Sequence, residues 1–496
     1  MSDKGKRAQP SQNRKIALFL FAAIAFCMPV QFFLGADVTT LVLDISAISI
    51  GLFFFQRLSF YSPGAWFIFF YIFGNILFAF LIKTIFLQTI DSNLYAPEES
   101  YLVELIAVLA LVVAVILVSK INVGRPLLSP ELSTAELRVL TWGCLLIGTV
   151  SWHFSGVLSG DEASEVGGFG AFQQLTYMAV ICKTAMLLGK ENSKRLWDIE
   201  LIIILLVNLF FGAVANSQAA FATPVICYFA TLLFFRGSIP LLYIAFSILF
   251  GLIFTNFIAP LIHVLRFLGE EQASFSQRID LVLLAISDIV NGGVVARLAQ
   301  NSSQLITSGY YNYFGNVSAG EFVFGRFASI QQIDPVIARA SQDGSVGLPI
   351  IGAAFHAILP KVIDPTKLPF DIGFYVLLHY GFVSEIGGKF PTLPMMGELF
   401  AEYGLPGAFI LGFALFFSCL LILKKITWSL KRNVFAIFFF SNFITFFVSQ
   451  GAVEQYVGFT FRGMPSYAIV FFLLKYAGRI TFSRSSASGT HLFSRR

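Results

Sequence analysis

The residues best suited to chemistry gather between Pro260 and Gly404. This stretch carries Arg266, Arg278, Arg297, Arg326, Arg339, Lys361, Lys367 and Lys389, together with His356 and His379. Guanidinium forks bind phosphate bidentately, so such a set suits a pyrophosphate. An imidazole is the side chain best placed to move protons near neutral pH. Each cation also reads as ordinary solvated surface, and a lone loop histidine is more often incidental. At the end of the stretch the chain runs Gly397-Glu398-Leu399-Phe400-Ala401-Glu402-Tyr403-Gly404-Leu405-Pro406-Gly407. Glu398 and Glu402 are four apart and share one helix face, as a general base or as anchors for the arginines. Acidic residues are also favourable at a helix N-terminus without any chemistry. The glycines Gly404, Gly407 and Gly412 let another backbone approach closely, which is how helices pack in lipid. Asp44 lies in an apolar run, where a carboxylate is costly and so is a functional candidate. Asn208, Asn216, Ser217 and Gln218 form a second polar cluster. The aromatics Tyr310, Tyr311, Tyr313, Phe314, Phe355, Tyr375 and Tyr380 read as sugar-stacking surfaces or as the core of the segment itself. No HExxH spacing and no Gly-rich phosphate cradle is present, so neither a metal, a nucleotide nor another cofactor is expected.

Elements inside a bilayer must position these residues. The chain has 496 residues, 57% hydrophobic and 12% charged, against about 25% charged in a soluble domain. That excludes an ordinary water-soluble enzyme, and the net charge of +5 is not arranged to track nucleic acid. Apolar runs predict spans near Ile16 to Gly35, Val38 to Phe55, Ala65 to Leu87, Leu102 to Ser119, Leu137 to Trp152, Ala171 to Leu188, Ile199 to Ala215, Ala219 to Phe235, Ile239 to Pro260, Gly404 to Leu423, Val434 to Gln450 and Gly463 to Ala477. The expected fold is an all-α polytopic integral membrane protein with about 12 transmembrane helices. Arg57, Lys120, Arg125, Arg138, Lys190, Arg236, Lys424, Lys425, Lys431 and Arg432 fall on one side of that alternation, and Asp37, Asp91, Glu98, Glu99, Asp161 and Glu454 on the other. Short cytoplasmic loops collect Lys and Arg, so both termini are expected in the cytoplasm. The organisation is a cytoplasmic N-terminus over 1–15, helices over 16–260, one large extracytoplasmic loop with short helices over 261–403, helices over 404–477 and a disordered cytoplasmic tail over 478–496. The first run reads as a retained helix without a cleavage pattern. Ile279 to Val290 is too short to cross and reads as a surface or re-entrant helix. Lys83 and Lys183 lie near span ends, where they can snorkel. The five cysteines all fall within spans, which leaves no thiol pair outside for a disulfide.

The layout and the Gly397-to-Gly407 segment resemble the Wzy-type O-antigen and oligosaccharide repeat-unit polymerases, and more distantly the O-antigen ligases. Ala215-Asn216-Ser217-Gln218 is similar to the Ser-Arg-Gly opening of a helix in that superfamily, with Gln218 where arginine is usual. The resemblance implies a GT-C-like glycosyltransferase without metal or nucleotide, in a bacterial inner membrane. It would polymerise undecaprenyl-pyrophosphate-linked oligosaccharide units on the outer face, with membrane lipid and a chain-length regulator protein as partners. Arg326 and Arg339 with Glu398 or His379 would then be catalytic. Arg266, Arg278, Arg297, Lys361, Asp44, Gln218 and Glu402 would bind substrate. A lipid-linked oligosaccharide flippase fits the number of spans equally well, and a ligase performs the same chemistry on another acceptor.

Overall fold

The computed structural model describes residues 12–154, 169–189, 196–214, 218–237, 313–314, 328–359, 372–382, 393–449 and 451–483, and the regular elements among them are all helical. The first four long elements are α1 (Gln12–Leu34), α2 (Val38–Arg57), a span made of α3 (Pro63–Ile72), a π-helical turn (Phe73–Leu77) and α4 (Phe78–Ile85), and α5 (Pro97–Lys120). Then come α6 (Thr134–Phe154), α7 (Leu175–Gly189), α8 (Ile199–Val214) and α9 (Gln218–Arg236). The expected outer loop contributes α10 (Ile330–Asp343), α11 (Ile350–Ile358) and α12 (Ile372–His379). The chain finishes with α13 (Met395–Ile426), α14 (Val434–Ser449), α15 (Val453–Gly458), a second π-helical turn (Phe459–Gly463) and α16 (Met464–Ser483).

Local chemistry sets several of these boundaries. Asp37 caps α2 by accepting from the Thr40 amide at 2.7 Å, and those amide donors hold its carboxyl below the ordinary range. Pro97 opens α5, Glu98 and Glu99 occupy its first turn, and Lys120 occupies its last, each on the side the helix dipole favours. At α6, the Ser133 amide donates to Glu136 at 2.7 Å while the Glu136 amide donates to Ser133 Oγ at 3.2 Å, a reciprocal cap. Gly212 lets α8 meet α9: a Cβ there would stand 2.8 Å from the Phe221 backbone.

Six helical stretches among the described residues are long and apolar enough to cross a membrane: 12–34, 38–57, 63–85, 97–120, 395–426 and 453–480. Shorter apolar helices lie at 199–212, 220–236 and 434–444. The protein is thus an α-helical, multi-pass membrane protein. A helix stands at each expected span except the ninth, Ile239 to Pro260, which lies outside the described residues, as do the stretch Ile279 to Val290 and the tail beyond Ser483.

The loops sort by charge. At one end Lys424 donates to the carbonyls of Val118, Ser119 and Ile121 at 2.7, 2.9 and 2.8 Å, closing the last turn of α5. Lys425 donates to Val123 O at 3.1 Å, the Leu430 amide to Tyr61 O at 2.9 Å, and Arg432 Nε to Phe235 O at 3.4 Å. Arg479 pairs with Glu136 at 2.8 Å at this end too. The opposite end carries Asp37, Asp91, Glu98 and Glu99, with the Asp37 amide donating to Asp91 at 3.3 Å. Beside the basic end an aromatic core gathers Trp66, Phe55, Phe60, Phe234 and Phe440 within 6.4 Å ring separations.

One expectation is corrected here: Lys83 does not snorkel. Lys83 is fully buried, donates to Ser92 O and Oγ at 2.8 and 2.7 Å, and lies 4.0 Å over the Tyr313 ring. Lys183 pairs with Asp198 at 2.8 Å and with Glu200. The acids that hold Lys183 are about a third exposed at the start of α8, so its ammonium reaches the end of its span as expected. All five cysteines are buried and unpaired.

Candidate functional site

The site is built where α13 breaks. Gly404 interrupts that helix at φ 63°, ψ −165°, a backbone conformation essentially confined to glycine, and Pro406 follows two residues later. The leading segment 395–403 leans back on the rest: a Cβ at Gly407 would collide with Tyr403, and one at Gly412 would stand 3.2 Å from the Met396 sulfur. The close approach expected at these glycines is therefore made by the leading turns of the same helix, and not by a separate span.

At the break a groove of about 560 Å³ opens at the acidic end of the bundle. Glu99, Ser341, Ser345 and Glu402 supply its polar lining, against an apolar wall of Leu102, Phe400, Leu405 and Pro406. Helix α10 forms one side and is fastened to α5 at three levels. The Asp334 carboxylate accepts from the Tyr95 and Ala96 amides at 2.6 and 2.9 Å and from Ser100 Oγ at 2.9 Å. It thereby satisfies donors that the start of α5 would otherwise leave open. Burial lifts the Asp334 carboxyl above its ordinary value, although those three donors pull it down. Ser341 Oγ donates to Glu99, and Ser329 Oγ donates to Glu104 at 3.0 Å. The 344–348 connection is fastened to α13 in turn. The Val346 amide donates to Ala401 O at 3.2 Å and the Leu348 amide to Glu402 Oε2 at 3.0 Å. The Tyr380 hydroxyl donates to Gly344 O at 2.8 Å, and burial with the nearby Asp343 and Glu402 charges pushes that phenol up to about 12.

The two acidic residues of the Gly397-to-Gly407 segment have different surroundings. Glu402 lines the groove, with one carboxylate oxygen held by Leu348. Glu398 is fully buried, and its Oε2 accepts from the Val453 amide at 2.7 Å at the first turn of α15. Gly373 of α12 lies against the other oxygen: a Cβ there would stand 3.0 Å from Glu398 Oε1. Glu398 is thus placed as the fastener between α13 and α15.

A second polar set lies deeper, about 7 Å further along α5 by helical rise from Glu99 to Glu104. Glu104 is 1% exposed and accepts from Tyr71 and Ser329, both at 3.0 Å. Asp44 on α2 is fully buried nearby, and among the described residues neither of its carboxylate oxygens has a hydrogen-bond partner. Tyr101 and Tyr313 approach it, their hydroxyls 3.1 Å apart and both turned to Ile90 O. Burial raises the Tyr313 phenol.

The other expected residues divide as follows. Arg339 is exposed on α10 and pairs with Asp343 at 3.6 Å, one residue from the groove-lining Ala340. His379 is exposed at the end of α12, its ring 5.0 Å from Tyr380. Gln218 opens α9. Asn208 is buried and ties α8 to α7 through Thr176 O at 3.4 Å. Arg266, Arg278, Arg297, Arg326, Lys361, Lys367, Lys389, Asn216, Ser217, Tyr310 and Tyr311 lie outside the described residues. Tyr313, Phe314 and Tyr380 are buried as core, whereas Phe355 and Tyr375 are 46% and 40% exposed. Sequence reasoning passed over Glu99, Glu104, Ser329, Asp334 and Ser341. Glu104 was the detectable one among them, as a carboxylate inside an apolar run. Among the described residues no group of His, Cys, Asp and Glu could hold a metal ion. The chain matches no family model, no curated protein and no solved structure.

Proposed function

We propose that this chain is a membrane glycosyltransferase that extends a lipid-linked glycan, joining undecaprenyl-pyrophosphate-linked repeat units at the acidic end of its bundle, on the outer face of a bacterial inner membrane. The observation that carries the reading is the groove at Gly404. It stands beside the expected outer segment and combines two carboxylates and two serines with an apolar wall. Carboxylates and hydroxyls accept and donate to sugar hydroxyls, while the wall suits a sugar face or the start of a lipid chain.

In this reading the acceptor hydroxyl lies against Glu402, which takes its proton as the acceptor oxygen bonds to the anomeric carbon of the donor. The bond from that carbon to the pyrophosphate oxygen breaks, and the lipid pyrophosphate leaves with the electron pair. Arg339 and the other outer-segment arginines stabilise the charge that develops on it. Glu99 positions a neighbouring hydroxyl. The architecture is GT-C-like with about 12 spans, both ends in the cytoplasm and the basic loops of the bundle on that side.

One observation favours a second reading. Asp44 and Glu104 are carboxylates buried inside spans, and transporters place ionisable groups there. The envelope glycan of a deletion strain separates the alternatives. Single capped repeat units support the polymerase. Uncapped core with accumulated lipid-linked polymer assigns the chain as a ligase. Lipid-linked units held on the inner face assign it as a flippase.

A further inference from the structure

The geometry points to a buried proton-binding site between α2 and α5, in which Asp44 carries a proton close to the hydroxyl-held Glu104. Both carboxyl groups are buried, and among the described residues only Glu104 has donors. Glu104 accepts from the Tyr71 and Ser329 hydroxyls at 3.0 Å each, so an anion there is doubly hydrogen-bonded. Asp44 is fully buried with neither oxygen partnered among the described residues. An unpaired carboxylate in an apolar bundle is far more costly than the neutral acid. Two adjacent carboxyls in one enclosed space share protonation, as like charges there oppose each other.

Among the described residues, the groups around Asp44 supply no cation that would replace the proton. Glu104 and Tyr101 come from α5, Tyr71 from α3, and Tyr313 from the 313–314 turn. Helix α1 brings Arg14 and Lys15 near its first turn and the Cys27 thiol further along. Lys83 on α4 is engaged by Ser92 and lies on the Tyr313 ring. Ser329 is the residue just ahead of α10, so its hydrogen bond to Glu104 also fastens the outer segment to the bundle. The proton site and the docking of α10 share an atom. This assignment does not depend on the glycan chemistry proposed above.

Infrared difference spectroscopy of the purified full-length protein tests it at neutral pH. Wild type minus Asp44→Asn is expected to show a carboxylic-acid carbonyl band that shifts in heavy water. Wild type minus Glu104→Gln assigns the bands of the neighbouring carboxyl. Carboxylate bands in the Asp44 difference would overturn the assignment. So would loss of the acid band on adding sodium ions, which would make this a metal-cation site. Asn and Gln keep the shape of the side chains they replace. Should Glu104→Gln fail to fold, the Asp44 difference alone decides the outcome.

Discussion

Asp334 shows how much of the outer segment hangs on single side chains. Its carboxylate takes three donors at the start of α5, so Asp334→Ala leaves one buried and two part-buried donors unpaired and is expected to cost about 2 kcal/mol. Thermal unfolding of the detergent-purified protein measures this. The same group sets a pH dependence. Burial holds the folded-state value above the unfolded one, so the native chain binds the proton more tightly. The stability this group contributes is complete below the ordinary carboxylate value and is lost as pH rises through the raised one. The melting temperature should fall across that window, with the corresponding slope absent in Asp334→Asn. Glu398 and Glu402 separate at the same scale. Glu402→Gln keeps its shape on the groove and is expected to abolish chain extension with melting unchanged within about 1 kcal/mol. Glu398→Gln disturbs a buried fastener instead, so lowered melting is its expected signature. Loss of extension by Glu398→Gln alone, with melting retained, would reverse these roles.

At the scale of elements, α13 is organised by its break. Gly404 holds a conformation that a Cβ disfavours, and Gly404→Ala is expected to cost about 1–3 kcal/mol. Because the groove opens at that break, the same variant should raise KM for the acceptor more than a matched substitution at Gly458, whose added Cβ would meet nothing within 4 Å. Unchanged melting and unchanged KM would remove the break from the account. The helices themselves are legible in sequence, since apolar length and terminal residues such as Pro97, Lys120 and Ser133 are local signals. The break is half legible. Gly404 and Pro406 announce an irregularity, yet the span was expected to begin at Gly404, whereas the helix begins at Met395. The difference arises because the leading turns are held by distant partners, the Gly451 carbonyl for the Met395 amide and the Val453 amide for Glu398. The partners of Glu104 and Asp334 are equally hidden, because they come from segments up to 239 residues away in the chain.

For the whole molecule, the division of charge between the two ends is the feature that both levels share. Loops 58–62, 121–133 and 427–433 meet at the basic end through Lys424, Lys425, Arg432 and Tyr61, while α10 to α12 and the groove lie with Glu99 and Glu402 at the other. Short basic loops stay in the cytoplasm, so membrane-impermeant thiol labelling in a cysteine-free background is expected to reach Ser345→Cys from outside and not Ser129→Cys. The opposite labelling would invert the protein and put the groove on the cytoplasmic side.

The central claim is that the groove at Gly404 joins lipid-linked glycan units, and chain extension by the purified protein in vesicles tests it most directly. Undecaprenyl-pyrophosphate-linked repeat units from the source cell are supplied without nucleotide sugars or added metal, and the products are resolved by length. The account predicts a ladder of lengthening lipid-linked chains from the wild type and single units only from Glu402→Gln. Single units from a folded wild type, or an undiminished ladder from Glu402→Gln, would contradict it.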